Sequence, residues 1–412
     1  MKKIGGFFAC AALAVLFGTL ILTGRPLLGA ESGAVTRSSE PIDLEFTGRF
    51  ARLVAGAEEG NLFFSPLSIS TTFAMATAGA RGETLDEMLA ALGWTQIPQD
   101  ELHSRYEEMR RRIDALSEAG DLELVLANAI WPERTHAFLP EYLGLLKERY
   151  AAGVTPLDFA NETEAARQEI NAWVERQTRS KIKELLQKGT LDILTRMVLT
   201  NAVYFRGTWA EPFREELTTP GPFYVTPDTP IQVPMMKATV TVGVEEVEGA
   251  TLIELPYRGD ELSMVVILPE KGRSIGRMEE SLEGLVREVS KRRFDRSKRL
   301  VTMPKFRMTN QFSLADTFAA MGMKLAFTRS ADFSGMDGTR WLYITGVYHK
   351  SYVDVSEKGT EAAAATGIVI GTRSAPMPQE PVVIDRPFWF GIRDRVTGGI
   401  LFLGRVVEPQ QD

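Results

Sequence analysis

Apolar residues in the first third of the chain recur at the spacing of an α-helix. Phe46, Phe50 and Val54 lie on one face of a predicted helix. The residues TLDE at 84–87 have the pattern of a capping box at a helix start, and Gly93 is typical of a helix end. This part of the chain is therefore predicted to be mostly helical.

The apolar pattern changes toward β-strands further along the chain. LELVLANAIW, from Leu122 to Trp131, predicts a strand that is buried on much of both faces. Two amphipathic helices are predicted after it, near 139–150 and over 169–186. Most later apolar runs are short and rich in β-branched residues, as in MVLTNAVYF, LSMVVILP and ILFLGRVV. Helices first and strands later, without regular alternation of the two, predict an α+β fold.

The segment from Gly359 to Pro381 fits no single regular element. Its beginning is rich in alanine, its middle holds the β-branched residues 368–370, and its end carries the pair Arg373 and Ser374 before three prolines. Alanine favours helix and β-branched residues favour strand, while glycine and proline interrupt both. Composition alone favours a disordered surface loop.

Composition and charge limit the function classes to consider. The chain has 412 residues, of which 44% are hydrophobic and 25% charged, which is enough apolar material for a large core. Its formal net charge of -7 argues against general nucleic-acid binding. Two basic clusters, 110–112 and 291–299, are interpreted as solvated charged faces, with a polyanion site as the alternative for the denser second cluster.

The amino-terminal residues 1–30 have the pattern of an export signal. Lys2 and Lys3 precede an almost wholly apolar run at residues 4–22. That run fits either a cleaved signal peptide or an uncleaved anchor that tethers the protein to a membrane, because it is just long enough to span a bilayer. Both alternatives predict that the body of the chain lies outside the cytoplasm, either secreted or membrane-tethered.

The rest of the chain is predicted to be one domain after a short linker. Residues 31–41 are mostly small and polar and predict the linker, and no second linker follows within residues 42–409. The only cysteine, Cys10, lies in the leader, so the body has no intrachain disulfide and its stability must come from its core.

The sequence offers little raw material for catalysis. Three histidines (103, 136 and 349) and the absence of cysteine from the body argue against a zinc site or a cysteine protease. No P-loop, G-x-S-x-G or H-E-x-x-H motif is present. A Ser-His-Asp hydrolase using His349 is the alternative, but nothing in the sequence supports it. No enzyme activity, cofactor or metal is expected.

Seven segments resemble the serpin family of serine protease inhibitors in their order and spacing. They are NLFFSPLSISTTFA (61–74), NAVYFRGTW (201–209), LPYRGDELSMVVILP (255–269), MPKF (303–306), ITGVYHK (344–350), SEKGTEAAAA (356–365) and DRPFWF (385–390). The resemblance covers about residues 42–409. It implies a serpin fold of three β-sheets and about nine helices, a metastable native state, a monomer, and an exposed reactive-centre loop, here 357–381.

The resemblance also explains the mixed character of this loop. In the family, the loop is bait for a protease and, once cleaved and acylated, inserts as a new strand into the largest sheet and drags the protease with it. Gly359 would be the pivot. Small side chains would slide between paired strands without obstruction, which implies a hinge made of Glu357, Gly359, Thr360, Ala362, Ala363, Ala364 and Ala365.

The family's spacing, counted from Glu357, places the reactive bond between Arg373 and Ser374. Trypsin-like serine proteases accept arginine in an acidic pocket, so an Arg-specific protease of this class is the implied partner. The 14 residues from Thr360 to Arg373 would carry an attached protease about 46 Å, at ~3.3 Å per strand residue.

Other residues acquire roles only through the resemblance. Trp209 resembles the tryptophan at the breach, the top of the main sheet where insertion begins, and Lys305 resembles the partner of the hinge glutamate. A polar cluster called the shutter, beneath the centre of that sheet, is matched by Ser65, Ser68, Asn201 and His349.

The alternative within the family is a serpin fold that no longer inhibits and acts as a binding or chaperone protein. Non-inhibitory members tend to carry bulky, charged or proline residues at the hinge. The alanines at 362–365 therefore favour inhibition by covalent trapping.

Overall fold

The computed structural model describes residues 40–118, 122–152, 154–360 and 379–409. The chain divides into two units, Met1–Ser38 and Ser39–Asp412, and the described residues all belong to the second. The predicted leader and nearly all of the linker lie outside the described residues, so their bounds stay predictions. Within the described ranges, none of the helices combines the length and apolarity needed to cross a bilayer.

Ten α-helices occur in the described part of the chain, six of them before residue 178. They are α1 (Leu44–Ala57), α2 (Pro66–Thr77), α3 (Gly82–Leu92), α4 (Gln99–Glu118), α5 (Pro140–Tyr150), α6 (Phe159–Gln177), α7 (Ile275–Glu279), α8 (Leu282–Lys291), α9 (Ala315–Ala320) and α10 (Ser334–Asp337). Gly93 ends α3 in the left-handed conformation with φ of 74°, as its position in the sequence predicts.

Fourteen strands lie in the same described ranges. They are β1 (Leu62–Phe64), β2 (Leu122–Pro132), β3 (Met197–Thr208), β4 (Thr219–Thr226), β5 (Thr229–Val247), β6 (Ala250–Pro256), β7 (Leu262–Pro269), β8 (Arg296–Pro304), β9 (Phe306–Ser313), β10 (Gly346–Ser356), β11 (Gly359–Thr360), β12 (Val382–Val383), β13 (Phe388–Asp394) and β14 (Ile400–Val406). Helices first and strands later confirm the predicted α+β class.

The described strands form two hydrogen-bonded sheets. The five-stranded sheet has the order β2-β3-β11-β10-β9, and the nine-stranded sheet has the order β1-β14-β13-β7-β6-β5-β8-β12 with β4 on β5. The resemblance implies three sheets, whereas the described strands form two. Two of the expected sheets are continuous here because β5 is 19 residues long and pairs with β4, β8 and β6 in turn.

Both faces of the five-stranded sheet are covered, which explains the continuous apolar runs in β2 and β3. One face belongs to the main core, where Phe205 of β3 packs on Phe402 at 5.6 Å between ring centroids. The other face packs against α6 and the segment after it in a second apolar cluster that includes Trp131 and Phe159. Strands β2 and β3 are thus covered on both faces.

The predicted capping box at 84–87 is wrong. Helix α3 begins at Gly82, and no side chain caps its first turn. Thr84 Oγ1 instead accepts a hydrogen bond from Asp332 N at 2.9 Å, and Glu87 Oε2 accepts one from Leu325 N at 2.7 Å. The two side chains bind a segment more than 200 residues away, which no local pattern reveals.

The helix predicted over 169–186 ends nine residues early, at Gln177. Arg179 and Ser180 have positive φ values of 50° and 61°, which interrupt a helix. Leu186 is buried after the break, and the Asn171 side chain exchanges two hydrogen bonds of 2.8 Å with its backbone. Tertiary burial therefore overrides the helical pattern here.

Candidate functional site

Strands β3 and β10 are separated at one end by β11, and this end is called the hinge end below. Thr360 lies opposite Gly207 of β3 and Val355 of β10, in antiparallel register with both strands. Away from the hinge end, β3 and β10 pair directly in parallel, over seven residue pairs from Val198–Gly346 onward. β11 therefore occupies two residues at the hinge end, and β3 and β10 are closed on each other over residues 346–352 of β10.

Gly359 holds a conformation that only glycine adopts there. Its φ is 145°, and a Cβ at this position would lie 2.0 Å from Gly207 O and 2.8 Å from Thr208 Cα. Both atoms are backbone, so neither yields to a side chain. The pivot role that the resemblance implies for Gly359 thus has a direct steric basis.

Thr360 is fully buried beneath the hinge end. Its Oγ1 is 2.7 Å from the Tyr257 hydroxyl, and burial raises the pKa of Tyr257 so that the ring stays neutral. Tyr257 stacks on Trp209 with a centroid distance of 4.7 Å and an interplanar angle of 6°. The Trp209 indole donates to Ser356 O at 3.0 Å. Trp209 and Tyr257 together hold the turn that leads into β11.

The Glu357 side chain is buried and forms an ion pair. Lys305 Nζ lies 2.9 Å from Glu357 Oε2, and Thr218 Oγ1 donates to Oε1 at 2.7 Å. Burial works to raise the pKa of Glu357, but the hydrogen bonds from Thr218 and Lys305 outweigh burial and hold the pKa below its usual value. Lys305 and Glu357 are therefore in contact, as the resemblance implies.

The four predicted shutter residues meet beneath the middle of the five-stranded sheet. His349 Nε2 accepts from Ser65 N at 3.3 Å, so Nδ1 carries the proton and donates to Asn201 Oδ1. Asn201 Nδ2 in turn contacts Ser68 Oγ at 2.6 Å and Asn128 Oδ1 at 2.8 Å. The cluster links helix α2 to β2, β3 and β10.

The polar cluster carries no charge. Burial lowers the pKa of His349 to about 3, so the imidazole is neutral near pH 7. His349 contacts an amide nitrogen and an asparagine rather than a hydroxyl and a carboxylate, while Ser65 Oγ donates to Leu401 O at 2.7 Å. A hydrolase would need a hydroxyl on the base and a carboxylate behind it, so the geometry argues against this alternative.

The predicted reactive bond lies outside the described residues. Arg373, Ser374 and the alanines at 362–365 all fall within 361–378. The chain leaves the five-stranded sheet at Thr360 and rejoins the nine-stranded sheet at β12, which pairs with β8 in parallel. The interval between the two sheets is thus anchored at both ends, and the bond itself stays a prediction.

The two basic clusters are largely neutralised by carboxylates. Arg110, Arg111 and Arg112 each form an ion pair, with Asp114, Glu107 and Asp394 respectively. In the second cluster, ion pairs hold Lys291, Arg292, Arg296 and Lys298. This pairing lowers the local positive potential and weighs against a polyanion site at 291–299.

Residues 43–409 match the family model described as serpin (serine protease inhibitor). The chain belongs to the serpin family. Leukocyte elastase inhibitor A of Mus musculus is 38% identical to this serpin over 369 residues, which cover 87% of the chain and 96% of that protein. An uncharacterised serpin-like protein of Thermococcus kodakarensis is 40% identical, covering 89% of this chain and 84% of that one.

The serpin fold is confirmed by solved structures. Serpin48, described as a highly specific serpin in the insect Tenebrio molitor, aligns with a TM-score of 0.78 and 30% identity over 90% of this chain and 97% of its own. Serpins are protease inhibitors rather than catalysts. This serpin is therefore a member of an inhibitor family with the family's fold.

The predicted location outside the cytoplasm is wrong. The comparison with leukocyte elastase inhibitor A contradicts the secreted or membrane-tethered location, because the 369 aligned residues make up 96% of that protein and leave too little of it for a counterpart of residues 1–30. The prediction depended on residues 1–30 alone, and the family match begins only at residue 43.

Sequence reasoning missed three residues that complete the site. Tyr257 lies within the segment LPYRGDELSMVVILP, so the resemblance already pointed to its neighbourhood. Asn128 lies in the predicted strand LELVLANAIW, where a polar residue in an apolar run is a signal of a buried hydrogen bond. Thr218 carried no signal, because it reaches Glu357 from 139 residues away.

Proposed function

We propose that this serpin inhibits trypsin-like serine proteases by covalent trapping, with Arg373–Ser374 as the bond offered to the protease. Membership of the serpin family supports protease inhibition itself. The observation that carries the mechanism is the position of Thr360, buried between β3 and β10 at the hinge end. Because Thr360 of the loop already lies between β3 and β10, the residues after it would need only to continue between the same two strands.

Insertion of a strand between β3 and β10 would lower the free energy of the sheet. Their seven residue pairs are parallel, and a strand that continues from Thr360 would replace them by antiparallel pairs on both sides. Parallel pairing is slightly weaker per residue than antiparallel pairing, and the new strand adds its own hydrogen bonds. Insertion therefore increases the number of backbone hydrogen bonds without breaking the sheet.

Side-chain alternation explains why the hinge residues are small. Thr360 points into the protein toward Tyr257, and residues two apart share one face of a strand. Residues 362 and 364 would follow Thr360 onto the buried face, where alanine meets the least steric resistance. A bulky or charged side chain there would slow insertion and let the protease hydrolyse its acyl bond.

The neutral polar cluster lies where β3 and β10 must part. Its hydrogen bond from His349 to Asn201 crosses between these two strands. Because the groups are uncharged, exchanging their hydrogen bonds during strand separation costs much less than separating a buried ion pair. The cluster would thus hold the closed sheet without preventing its opening.

The arginine at position 373 supports specificity for trypsin-like proteases. Its guanidinium forms charge-assisted hydrogen bonds to a carboxylate in a specificity pocket. The name leukocyte elastase inhibitor describes the target of the mouse relative. The proposed protease class for this serpin rests on Arg373, whose position is counted from Glu357, and not on the name of the mouse relative.

The test is to incubate the full chain with trypsin and to analyse the products by denaturing gel and mass spectrometry. We expect a denaturant-resistant adduct together with a peptide that begins at Ser374. An Arg373→Ala variant should lose the adduct with trypsin, because only the specificity residue is altered. Cleavage of the wild-type chain at this bond without an adduct would sink the trapping mechanism and favour a binding or chaperone serpin.

A further inference from the structure

A surface pocket of about 540 Å³ lies opposite the hinge end, where β3 and β10 begin. It is lined by Arg196, Arg329, Arg340, Trp341 and Tyr343. Three guanidinium groups and two aromatic rings thus line one space, whose volume is typical of sites for small molecules. We propose that this pocket, called the basic pocket below, binds a nucleoside polyphosphate, with the phosphates on the arginines and the base on the indole ring.

The charge of the lining favours a polyanion. Among the described residues that form the wall of the basic pocket, none carries a carboxylate. The Arg329 side chain forms no hydrogen bond or ion pair with a described residue. Arg340 pairs with Asp332 at 2.9 Å, but its own side chain is 77% exposed. The wall therefore keeps a positive charge that attracts phosphate oxygens.

Arg196 is held in place by the backbone beside it. Its Nη1 donates to Ile193 O at 3.2 Å and to Thr195 O at 3.0 Å. Nε and Nη2 donate to no described residue, and these two nitrogens form the edge of a guanidinium that binds two oxygens of one phosphate. Because two carbonyls already fix the group through its third nitrogen, binding would cost little additional side-chain entropy.

Trp341 provides an open aromatic face in the basic pocket. It is 77% exposed, the highest value among the large apolar residues that the structure describes. The exposed Ile193 and Leu194 adjoin it, since the Tyr343 hydroxyl donates to Leu194 O at 3.4 Å. A group of exposed apolar side chains of this size is typical of an interaction site. A planar base would cover the indole by stacking, beside arginines that bind its phosphates.

The basic pocket lies where a trapped protease would arrive, a consequence that rests on the proposed function. Continuing the antiparallel register of Thr360 along β3 would place Arg373 opposite Leu194. Leu194 is bonded to Tyr343 in the pocket wall. A bound nucleotide would therefore occupy space that the attached protease needs, and would favour release of cleaved serpin over adduct.

Binding is tested by isothermal titration calorimetry of the full chain with ATP. We expect saturable binding that weakens roughly tenfold in Arg329→Met, by loss of a charge-assisted hydrogen bond. Arg277→Met is the matched control, because Arg277 is 71% exposed and does not line the pocket. Equal affinity of the wild type and both variants would overturn the site. An equal loss in both variants would overturn it too, because binding would then reflect net charge alone.

The role of the base is tested with sodium tripolyphosphate, which carries phosphates without a base. It should bind roughly tenfold more weakly than ATP, since the stacking contribution is missing. Trp341→Leu should lower the affinity for ATP to that for tripolyphosphate, whereas Trp341→Phe, which keeps an aromatic face, should lose less. Tripolyphosphate binding as tight as ATP binding would overturn the assignment of a nucleotide.

The competition with trapping is tested by the yield of trypsin adduct on a denaturing gel, with and without saturating ATP. The yield should fall in the wild type and fall less in Arg329→Met, which also controls for any effect of ATP on trypsin. An unchanged yield in the wild type would overturn the competition. Absence of adduct under both conditions would contradict the trapping mechanism and this consequence, while the calorimetry would still decide the site.

Discussion

Gly359 and Thr360 are the two residues through which the loop already enters the five-stranded sheet. Gly359 cannot carry a Cβ because Gly207 O lies 2.0 Å from its place. Thr360 is fully buried with its hydroxyl on Tyr257. Under the proposed trapping mechanism, substitutions at these residues therefore act at the start of insertion.

Thr360→Arg should convert the inhibitor into a substrate. A guanidinium at this position would be buried beside a neutral phenol without a carboxylate partner, which costs several kcal/mol, on the order of the penalty for an unpaired buried charge. Trypsin should cleave this variant without forming an adduct, as read from a denaturing gel. Thr360→Ser is the control because it keeps the hydroxyl. Full trapping by the arginine variant would contradict the insertion mechanism.

The Lys305–Glu357 pair should make stability depend on acid pH. The folded-state pKa of Glu357 is lower than its ordinary value of 4.5, so the pair stabilises the fold above pH 4.5. This contribution is lost as the pH falls through the folded-state pKa, below 4.5. Urea unfolding midpoints measured across this range should fall less steeply in Lys305→Met than in wild type. Parallel curves for the two proteins would show that the pair contributes nothing.

At the scale of secondary-structure elements, β3 and β10 are joined by seven parallel residue pairs and by the polar cluster. The polar cluster crosses between them through His349 and Asn201, and β11 separates them at the hinge end. Helix α2 supports the cluster from below through Ser65 and Ser68. Conditions that alter this cluster should therefore change how readily the two strands part.

Burial of a neutral His349 should make the stability of the fold depend on acid pH. Its pKa is about 3 in the folded protein against 6.5 for an ordinary histidine, so the unfolded chain binds a proton that the folded protein excludes. Stability should fall as the pH drops from 6.5 toward 3, by up to about 1.4 kcal/mol per pH unit from this residue. Denaturant titrations of wild type and His349→Asn should diverge in this window, with the variant less sensitive to pH. The same slope in both would assign the acid sensitivity to other groups.

At the scale of the whole molecule, the proposed insertion would place a new strand between β3 and β10, which pair directly in the native fold. The five-stranded sheet holds seven parallel pairs between β3 and β10 that an inserted strand would replace by antiparallel pairs on both of its sides. The loop also connects this sheet to the nine-stranded sheet, so uncut chain is held at both ends. Under the proposed mechanism, cutting the loop would release one end and allow it to insert as a strand.

Cleavage at Arg373–Ser374 should therefore raise the thermal stability of this serpin. Each added backbone hydrogen bond contributes about 1 kcal/mol, and a strand of this length would raise the unfolding midpoint by more than about 10 °C. Differential scanning calorimetry of intact and cleaved protein measures the shift. Cleaved Thr360→Arg is the control, since it should not insert. An unchanged midpoint in cleaved wild type would mean that no strand is added.

The sequence by itself determined the fold class and the positions of several helices and strands. Gly93 ends α3, and residues 122–131 form β2, because glycine conformation and apolar runs act locally. The serpin motifs also predicted the contact between Lys305 and Glu357, because a family pattern preserves contacts between segments that are distant in sequence.

Only the tertiary structure decided the contacts that local pattern cannot encode. Thr84 and Glu87 bind a distant backbone segment instead of capping their own helix. The helix predicted to reach residue 186 ends at Gln177, because Leu186 is buried outside the helix with its backbone bound to Asn171. Asn128, Tyr257 and the burial of Thr360 likewise depend on which strands become neighbours. Such contacts arise only when residues far apart along the chain meet, and the free energy of burying them together outweighs local preference.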